Sequence, residues 1–580
     1  MTLTRLVRLD DVGRLSRTVM QLQPGQIGQR LRLRAQRVAL DHSVPLASRW
    51  LLSCPDRAAG TGWPGGFTPL DARLWRGDWV RSALRRGELP LLGAPRVIAP
   101  PGDDGTASWA RADWEAAGAP LLWRFHLYYW DWAWALVGDL DTQAEFTAMW
   151  ESWRSAVTPG RGTAWHPYPA ALRAWSFCGI YRALVPGSRI EGPFLGELAA
   201  LSGFLRRNLE TDVGGNHLIK NLKALAGLAV FFGDDALLDR TLSRLRRQLA
   251  VQVLSDGGHY ERAPAYHCQV LGDLIDIAGL LRADGRAEPA GLPGAIAAMR
   301  RWIGLVRSPS GEIPLLNDGF PVSPGLLAEL APAPPSVGSL EVLPDTGLAR
   351  IASGCWHVLV DVGPPCPRQL PAHAHADSLG CVVHVDAEPL LIDTGTSTYA
   401  PGATRDRERS TAAHNTLEID HRDSTEVWGA FRAGRRARIS EFSASSDAET
   451  VTVEAAHDGY RYLPGRPVHR RRWTVSADEL HVDDTVTGQG RHRVTLRWHL
   501  APGAGLRLVP GGAVVTTAAG EICVSVTATS EPALTASTAR IGAGFGRTVP
   551  APVLACVIHP ELPVRISTVW QRPEPRQETT

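Results

Sequence analysis

The sequence predicts a multidomain α+β protein in which a ring of helical hairpins precedes an antiparallel β-sandwich. Three observations support this fold class: the length of 580 residues, the helical spacing of apolar residues in the first half, and the short β-branched or alternating runs in the second. One hydrophobic core stops growing well below this length, so more than one domain is expected.

The helical half extends from about Trp114 to Ile303, where apolar residues recur at helical spacing. Gly, Pro and Asp separate the predicted helices, which indicates tight connections between antiparallel neighbours. A series of helical hairpins of this length commonly closes into a ring. The predicted helices include Glu197–Leu209, Leu218–Phe232, Asp235–Val253 and Val270–Ala283.

The segment Ala331–Gly338 is rich in Pro and Ala and marks the boundary between the two halves. We place an N-terminal extension packing on the ring at 1–110, the ring at 111–330, a linker at 331–345 and the sandwich at 346–570. The short runs after the boundary indicate antiparallel strands. The predicted strands include Cys355–Val362, Cys381–Val385, Leu390–Ile392, Val451–Ala455, Arg472–Ser476, Leu480–Val482, Arg493–Leu500 and Ala513–Thr517.

Composition excludes several classes of protein. The formal net charge of +2 gives no field that would attract nucleic acid. The eight cysteines lie far apart, so buried free thiols are expected. Met1 to Leu40 alternates Arg with Leu and contains no apolar run of the length of a secretory signal or transmembrane segment. The compartment stays open between cytoplasm and cell envelope or periplasm.

Aromatic residues concentrate in Leu121–Ala135 and Trp165–Trp175. Core packing explains most of these rings, because aromatic side chains dominate buried surface. The alternative is a groove where sugar rings stack on Trp165 and other aromatics while acidic groups pair with basic side chains. The basic side chains in question are Arg124, His126, His166 and Arg173.

Two segments of the helical half combine His, Tyr and Asn. Gly214–Lys223 opens a helix, where Asn216 suits an N-cap or a first turn and His217 suits a partly buried histidine. Asp256–His267 is a glycine-rich turn followed by Tyr266 and His267. Each segment alone is equally consistent with ordinary packing.

A third group of residues gives the strongest signal. His373 and His375 are two residues apart, so on an extended segment both side chains point to one face. Asp393 and His414 follow in later segments. Two imidazoles and one carboxylate form a candidate Zn²⁺ site if they converge at roughly 2.0 to 2.2 Å.

At these residues the sequence resembles the heparinase II/III-like family of polysaccharide lyases, which includes oligoalginate lyases. The likeness runs roughly from Leu121 to Leu500. The resemblance implies an incomplete α/α toroid joined to an antiparallel β-sandwich, and β-elimination of acidic glycans. The motifs that carry it are GNH, DGGHYERAPAYH, HAHAD, LLIDTG, RDRERSTAAHNT and DHRDSTEVWGAF.

The resemblance also implies roles for individual residues. Asn216 and His217 correspond to groups that neutralise the substrate carboxylate, Tyr266 to the catalytic acid/base and His373 to its partner. It further implies that the zinc is structural. The zinc ligands are His375, Asp393 and His414, and the expected substrate contacts are Tyr399, His267, Arg409, Trp165 and Arg124.

Elimination explains why these residue types would be needed. The C5 proton of a 4-linked uronate is poorly acidic, because its removal adds charge beside a carboxylate, and donors such as Asn216 and His217 would stabilise that charge. A phenol has a pKa of about 10, so Tyr266 as a base would need a nearby cation to lower it. Arg405, Arg407 and Arg409 could grip a carboxylate or sulfate, although an exposed loop explains them equally.

Two other functions compete with a lyase. A glycoside hydrolase would use paired carboxylates, and a non-catalytic glycan-binding or exopolysaccharide-assembly protein would keep the fold alone. The sequence leaves open the glycan (heparan, alginate or an exopolysaccharide), endo or exo action, the residue that abstracts the proton, and whether the chain forms a homodimer. The carboxylates available to a hydrolase are Asp256, Glu261, Asp318 and Asp377.

Overall fold

The computed structural model describes residues 9–42, 44–53, 62–75, 78–103, 105–138, 142–331 and 338–573. The chain divides into two compact units. The helical unit is drawn from Gln23–Gln252 and Gln269–Ala297. The sandwich unit is drawn from Met1–Leu22, Val253–Cys268 and Ala298–Thr580.

The helices alternate with tight connections, as the sequence predicts. None of those described is long and apolar enough to cross a membrane. In chain order they are α1 Leu9–Val19, α2 Pro24–Asp41, α3 Pro45–Leu52, α4 Leu70–Trp75, α5 Asp78–Arg85, α6 Leu121–Leu127, α7 Thr142–Ala156, α8 Pro167–Leu184, α9 Glu191–Arg207, α10 Gly215–Phe232, α11 Asp235–Gln252, α12 Pro264–Ala283, α13 Leu292–Val306, α14 Pro324–Leu330 and α15 Ala403–Glu408.

The helical unit encloses an aromatic core. Trp130 lies at its centre and contacts Trp132, Trp153 and Phe177, with ring centroids 4.7 to 5.8 Å apart. Nearly all rings of the two aromatic segments are buried, so core packing explains them. The central helix α10 is buried on every side and ends at Gly233, whose φ of 64° suits a C-terminal glycine.

The sandwich unit contains three main antiparallel sheets. Its strands are β3 Leu340–Leu343, β4 Leu348–Ser353, β5 Trp356–Asp361, β6 Cys381–Val385, β7 Glu388–Leu391, β8 Leu417–Ile419, β9 Val427–Trp428, β10 Arg432–Ala433, β11 Ile439–Ser446, β12 Val451–His457, β13 Val468–Val475, β14 Glu479–Thr487, β15 Val494–His499, β16 Gly505–Val509, β17 Gly512–Thr517, β18 Gly520–Ala528, β19 Ala533–Gly542, β20 Thr548–Ile558 and β21 Val564–Gln571. The short pair β1 Glu88–Leu89 and β2 Arg96–Val97 belongs to the helical unit.

The three sheets share one core. The largest has the order β11-β12-β13-β14-β21-β18-β17-β16, the second β19-β20-β15-β8, and the third β3-β4-β5-β6-β7. A bridge between Leu391 and Leu500 joins the second sheet to the third. Trp356, Trp473 and Trp498 are buried in the shared core.

One strand of this unit turns charged side chains inward. Along β13, His469 and Arg471 alternate with outward residues, and Arg471 lies opposite Asp484 of β14. Arg471 donates hydrogen bonds to this carboxylate and to the carbonyls of Leu379 and Asn415. The buried ion pair therefore fixes two loops that carry residues of the candidate site.

The structure draws the domain edges differently from the sequence. Helix α1 lies in the sandwich unit, where Arg17 forms an ion pair with Glu426, whereas residues from Gln23 onward belong to the helical unit. Part of the expected linker, Leu340–Leu343, forms β3, and its residues 332–337 lie outside the described chain.

Candidate active site

Tyr266 and His373 lie in ring contact within the sandwich unit. Tyr266 occupies the first turn of α12, and its ring centroid is 3.9 Å from that of His373. Both side chains are largely buried, with 8% and 7% exposure. The segment Val253–Cys268 thus carries Tyr266 to the sandwich unit, although the sequence order places it among the helices.

Asp318 orients the His373 ring. One carboxylate oxygen accepts a hydrogen bond from His373 Nδ1 at 2.9 Å, and the other lies 2.9 Å from His375 Nε2. Burial alone would raise the pKa of Asp318, but the Arg405 guanidinium and the two imidazoles hold it well below its usual value. The ionised carboxylate requires Nδ1 of His373 to carry its proton, which leaves a lone pair on Nε2.

Tyr399 provides a second phenol beside the first. Its hydroxyl lies 2.6 Å from the Tyr266 hydroxyl, and the Arg405 guanidinium lies 5.0 Å from its ring centroid. Burial, followed by the influence of Tyr399 and Asp318, raises the pKa of Tyr266 well above its ordinary value. A role as a base would need this pKa to be lowered, so the direction of the shift does not favour Tyr266 as the base. Tyr266 therefore holds its proton at neutral pH and suits the role of an acid.

Three phenylalanines surround this pair of phenols. Phe320 lies 5.8 Å from Tyr266, and Phe545 lies 4.9 Å from Tyr399. Phe431 lies 5.4 Å from Tyr399 and is 43% exposed. Phe431 ends the motif DHRDSTEVWGAF, whereas no local pattern in the sequence marks Phe320 or Phe545.

Asn317 links the two segments that carry Tyr266 and His373. Its side-chain oxygen accepts a hydrogen bond from the His375 amide at 3.0 Å, and its amide group donates to the Arg262 carbonyl at 3.0 Å. Both Asn317 and Arg262 have positive φ, at 57° and 61°. Such strain persists where surrounding structure enforces it, often at functional sites. The dipeptide Asn317-Asp318 before a glycine was the available sequence signal.

The carboxylates that a hydrolase would need are occupied or enclosed. Asp256 accepts hydrogen bonds from Gly258 and from both the amide and hydroxyl of Thr346. Asp318 holds Arg405 and two imidazoles. Glu261 and Asp377 are 3% and 1% exposed.

The expected zinc ligands lie close together in a buried group. His414 Nδ1 donates to Asp393 at 2.8 Å, and the rings of His375 and His414 are 5.2 Å apart. His375 Nδ1, His414 Nε2 and both oxygens of Asp377 are buried without a hydrogen-bond partner. These donors fit a metal by their chemistry, but among the described residues no three such side chains are spaced to hold one.

Two expected substrate contacts have structural roles instead. His267 is 1% exposed, accepts a hydrogen bond from the His259 amide at Nδ1, and contacts the Met299 carbonyl at Nε2. Arg409, also 1% exposed, donates to three backbone carbonyls, including that of Ala374 between the two histidines of HAHAD. Their polar groups are satisfied inside the protein.

The remaining predicted residues belong to the helical unit. Asn216 is buried in the first turn of α10, where Gly214 takes the N-cap position. His217 Nδ1 donates to Glu210 at 3.0 Å, and its ring lies 4.2 Å from that of Tyr168. Trp165 is 3% exposed and packs on Phe204, so it is a core residue, whereas Arg124 on α6 is partly exposed.

Comparison with known families agrees with both halves of this architecture. Residues 113–330 match the family described as "Heparinase II/III N-terminus", and residues 336–570 match the family described as "Heparinase II/III-like, C-terminal". The chain belongs to the heparinase II/III-like family. The chain is also similar to FtsZ-localized protein C of Caulobacter vibrioides. The two sequences are 28% identical over 324 residues, which cover 50% of this chain and 56% of that protein.

Solved structures show the fold of this heparinase II/III-like chain. Heparinase III matches 91% of this chain and 89% of its own, with 16% identity and a TM-score of 0.71. A heparan sulfate lyase of Pedobacter heparinus covers 94% and 88%, with 15% identity and a TM-score of 0.58. The fold is an incomplete α/α toroid followed by an antiparallel β-sandwich, which confirms the predicted fold class.

Proposed function

We propose that this heparinase II/III-like chain is a polysaccharide lyase that cleaves 4-linked uronic-acid-containing glycans by β-elimination. The observation that carries the proposal is the contact of Tyr266 with His373, whose ring is oriented by Asp318. A protonated phenol beside an imidazole with a free lone pair provides an acid and a base for one sugar ring.

In this mechanism His373 Nε2 takes the C5 proton and Tyr266 gives its proton to the departing 4-oxygen. The C5–H bond and the C4–O bond break, and a double bond forms between C4 and C5. The product is an unsaturated uronate and a free hydroxyl group. The proton on His373 then returns to Tyr266, which the 3.9 Å ring contact favours.

Asn216 and His217 would stabilise the charge that develops on the substrate carboxylate. A preorganised donor of this kind contributes roughly 3 to 4 kcal/mol in comparable sites. These roles follow from the family resemblance and stay predictions. Glu210 lies 3.0 Å from His217 Nδ1 and so orients the ring of this histidine.

We also propose that a structural zinc ion binds at His375, Asp393 and His414, and that these side chains move closer together when they hold it. The support is the pair of buried imidazole nitrogens without partners and the enclosed carboxylate of Asp377. Such an ion would cross-link three loops of the sandwich unit, and the metal takes no part in the proton transfers described above.

A second candidate function is glycan binding without catalysis, for example within exopolysaccharide assembly. The name of the relative FtsZ-localized protein C describes a location and no reaction, which favours this alternative to a small extent. Hydrolysis has less support, because the carboxylates near Tyr266 are occupied or enclosed.

A product assay distinguishes the three functions. The chain is incubated with heparan, alginate, hyaluronan and bacterial exopolysaccharides, and the ultraviolet absorbance of the conjugated double bond is followed. We expect absorbance to rise with at least one uronate glycan. New reducing ends without absorbance would indicate a hydrolase, and binding without either product would indicate a binding protein.

A further inference from the structure

Helix α2 of the helical unit exposes three of its apolar residues, while its last apolar residue, Leu40, is buried. Ile27, Leu31 and Val38 are separated by four and seven residues, which places them on one helical face. Their side chains are 40%, 64% and 49% exposed. A surface helix of a globular domain ordinarily packs its apolar stripe against the core. An apolar stripe that is exposed to solvent instead indicates a surface for binding a partner.

The opposite face of α2 is attached by polar groups. Gln26 is buried and donates to the Asp212 carbonyl at 3.0 Å, and Gln29 donates to the Leu209 carbonyl at 3.2 Å. The helix is thus held in place by these hydrogen bonds and by the buried Leu40, while Ile27, Leu31 and Val38 stay in solvent.

The next helix extends the exposed apolar surface. Leu46 and Trp50, four residues apart on α3, are 81% and 54% exposed. Helices α2 and α3 contact each other, so these side chains belong to the same region of the helical unit. We call the five residues Ile27, Leu31, Val38, Leu46 and Trp50 the apolar face.

Positive charge borders the apolar face. Residues 24–53 contain five arginines and one aspartate, a net charge of +4, whereas the whole chain carries only +2. Arg30, Arg34 and Arg37 form an adjoining strip of α2, with spacings of four and three residues, and all three are exposed. Arg30 forms an ion pair with Asp212 at 3.3 Å, whereas Arg34 and Arg37 add positive charge along the border of the apolar face.

We propose that the apolar face docks on the surface of an anionic phospholipid bilayer. An amphipathic helix with arginines beside its apolar stripe lies in the interfacial plane, where apolar side chains enter the acyl boundary and guanidinium groups reach the phosphates. A tryptophan such as Trp50 suits the same boundary. A bilayer surface complements both the apolar stripe and its positive border at once.

The test is flotation of the full chain with vesicles of phosphatidylcholine containing phosphatidylglycerol, and with vesicles of phosphatidylcholine alone. We expect binding to the anionic vesicles that weakens with added salt and is at least about tenfold weaker for Leu31→Glu with Leu46→Glu. The matched control is Leu121→Glu with Val251→Glu, two residues of the same unit that are 60% and 54% exposed.

Three results would overturn the proposal. The first is absence of flotation by the unaltered chain, and the second is equal flotation of the Leu31 and Leu46 variant with an unchanged unfolding temperature. The third is a dimer in sedimentation that the same variant converts to a monomer without any binding to vesicles, which would assign the apolar face to a second copy of this chain.

Discussion

Asp318 holds four cationic or polar partners on two oxygen atoms, one of which is the Thr396 hydroxyl. It receives Arg405, the Nδ1 of His373 and the Nε2 of His375 in a fully buried position. Asp318 is therefore a positioning residue, because it acts on a substrate only through the His373 ring.

Replacing Asp318 with Asn tests this role. We expect a loss of about 3 to 5 kcal/mol in the free energy of unfolding, because the buried Arg405 charge loses its partner. We also expect kcat to fall by about a hundredfold or more, because the His373 tautomer is no longer fixed. Urea unfolding and steady-state kinetics measure the two effects.

The matched control is Asp483→Asn in the same unit. Asp483 pairs with Arg565, which is 57% exposed, so a change of less than about 1 kcal/mol is expected. Equal effects of the two substitutions would contradict the role given to Asp318.

The family resemblance singled out Tyr266, His373 and Tyr399, whereas Asp318 was named only as a carboxylate available to a hydrolase. Motif residues lie in short recognisable strings, and the partners that orient them come from distant segments. The burial of His267 and Arg409 was equally hidden, because a histidine beside a catalytic tyrosine looks the same in the sequence whether it faces substrate or the core.

At the scale of elements, the turn before α12 delivers Tyr266. Gly258 lies where an added Cβ would come within 2.0 Å of Thr346 and 2.7 Å of Trp302. The Asp256 carboxylate of the same turn accepts a hydrogen bond from the Thr346 amide. The position of Tyr266 therefore depends on a glycine eight residues earlier.

We expect Gly258→Ala to destabilise the protein by about 1 to 3 kcal/mol, because the methyl group overpacks the turn. Activity should fall further than stability alone explains. Gly294→Ala on α13 is the control, since nothing lies within 4 Å of its added Cβ. It should leave stability unchanged or raise it by about 0.5 to 1 kcal/mol. Thermal unfolding measures both effects. Equal changes in the unfolding temperature of the two variants would contradict the role given to Gly258.

Helices were easier to predict than strands. The ends of α9, α10 and α11 agree with their predicted C-termini to within two residues, and α12 begins six residues early because Tyr266 and His267 interrupt its apolar spacing. The strands named from the sequence left out β16, β18, β20 and β21 as well as β11 and β19. Strands β11 and β19 are edge strands with mostly exposed Ser, Thr and Ala, so they lack the alternation that marks a buried face.

At the scale of the whole molecule, buried neutral histidines set the response to acid. Burial lowers the pKa of His259 to about 4 and that of His267 to about 3. The unfolded chain binds these protons near pH 6.5, so stability is lost as the pH falls from about 6.5 toward 3.

We expect the free energy of unfolding to be lower at pH 5 than at pH 7.5, with a smaller difference in His267→Gln. Urea unfolding at both pH values measures it. A free energy of unfolding that stays constant or rises on acidification would contradict this assignment.

The proposed zinc ion gives a second test at this scale. We expect the purified chain to contain zinc by elemental analysis and to lose thermal stability together with activity when the ion is removed. His414→Ala should lose the metal, whereas His481→Ala, a partly exposed histidine of β14, should keep it. Metal-free protein with an unchanged unfolding temperature would exclude a structural role.

The sequence could not predict how the chain divides at this scale. Residues 253–268 follow the helices in sequence but belong to the sandwich unit, because Asp256 and Arg262 bond to Thr346 and Asn317, which lie far later in the chain. Contact between distant segments leaves no local pattern, so only the family resemblance brought Tyr266 and His373 together in advance.

The most direct test of the account is the single hydroxyl of Tyr266. Turnover of a uronate glycan and binding of the same glycan are measured for the unaltered chain, for Tyr266→Phe and for Tyr462→Phe, an exposed tyrosine of the same unit. If Tyr266 is the acid of the proposed elimination, Tyr266→Phe abolishes formation of the unsaturated product with binding retained, while Tyr462→Phe remains active. Full turnover by Tyr266→Phe would contradict it.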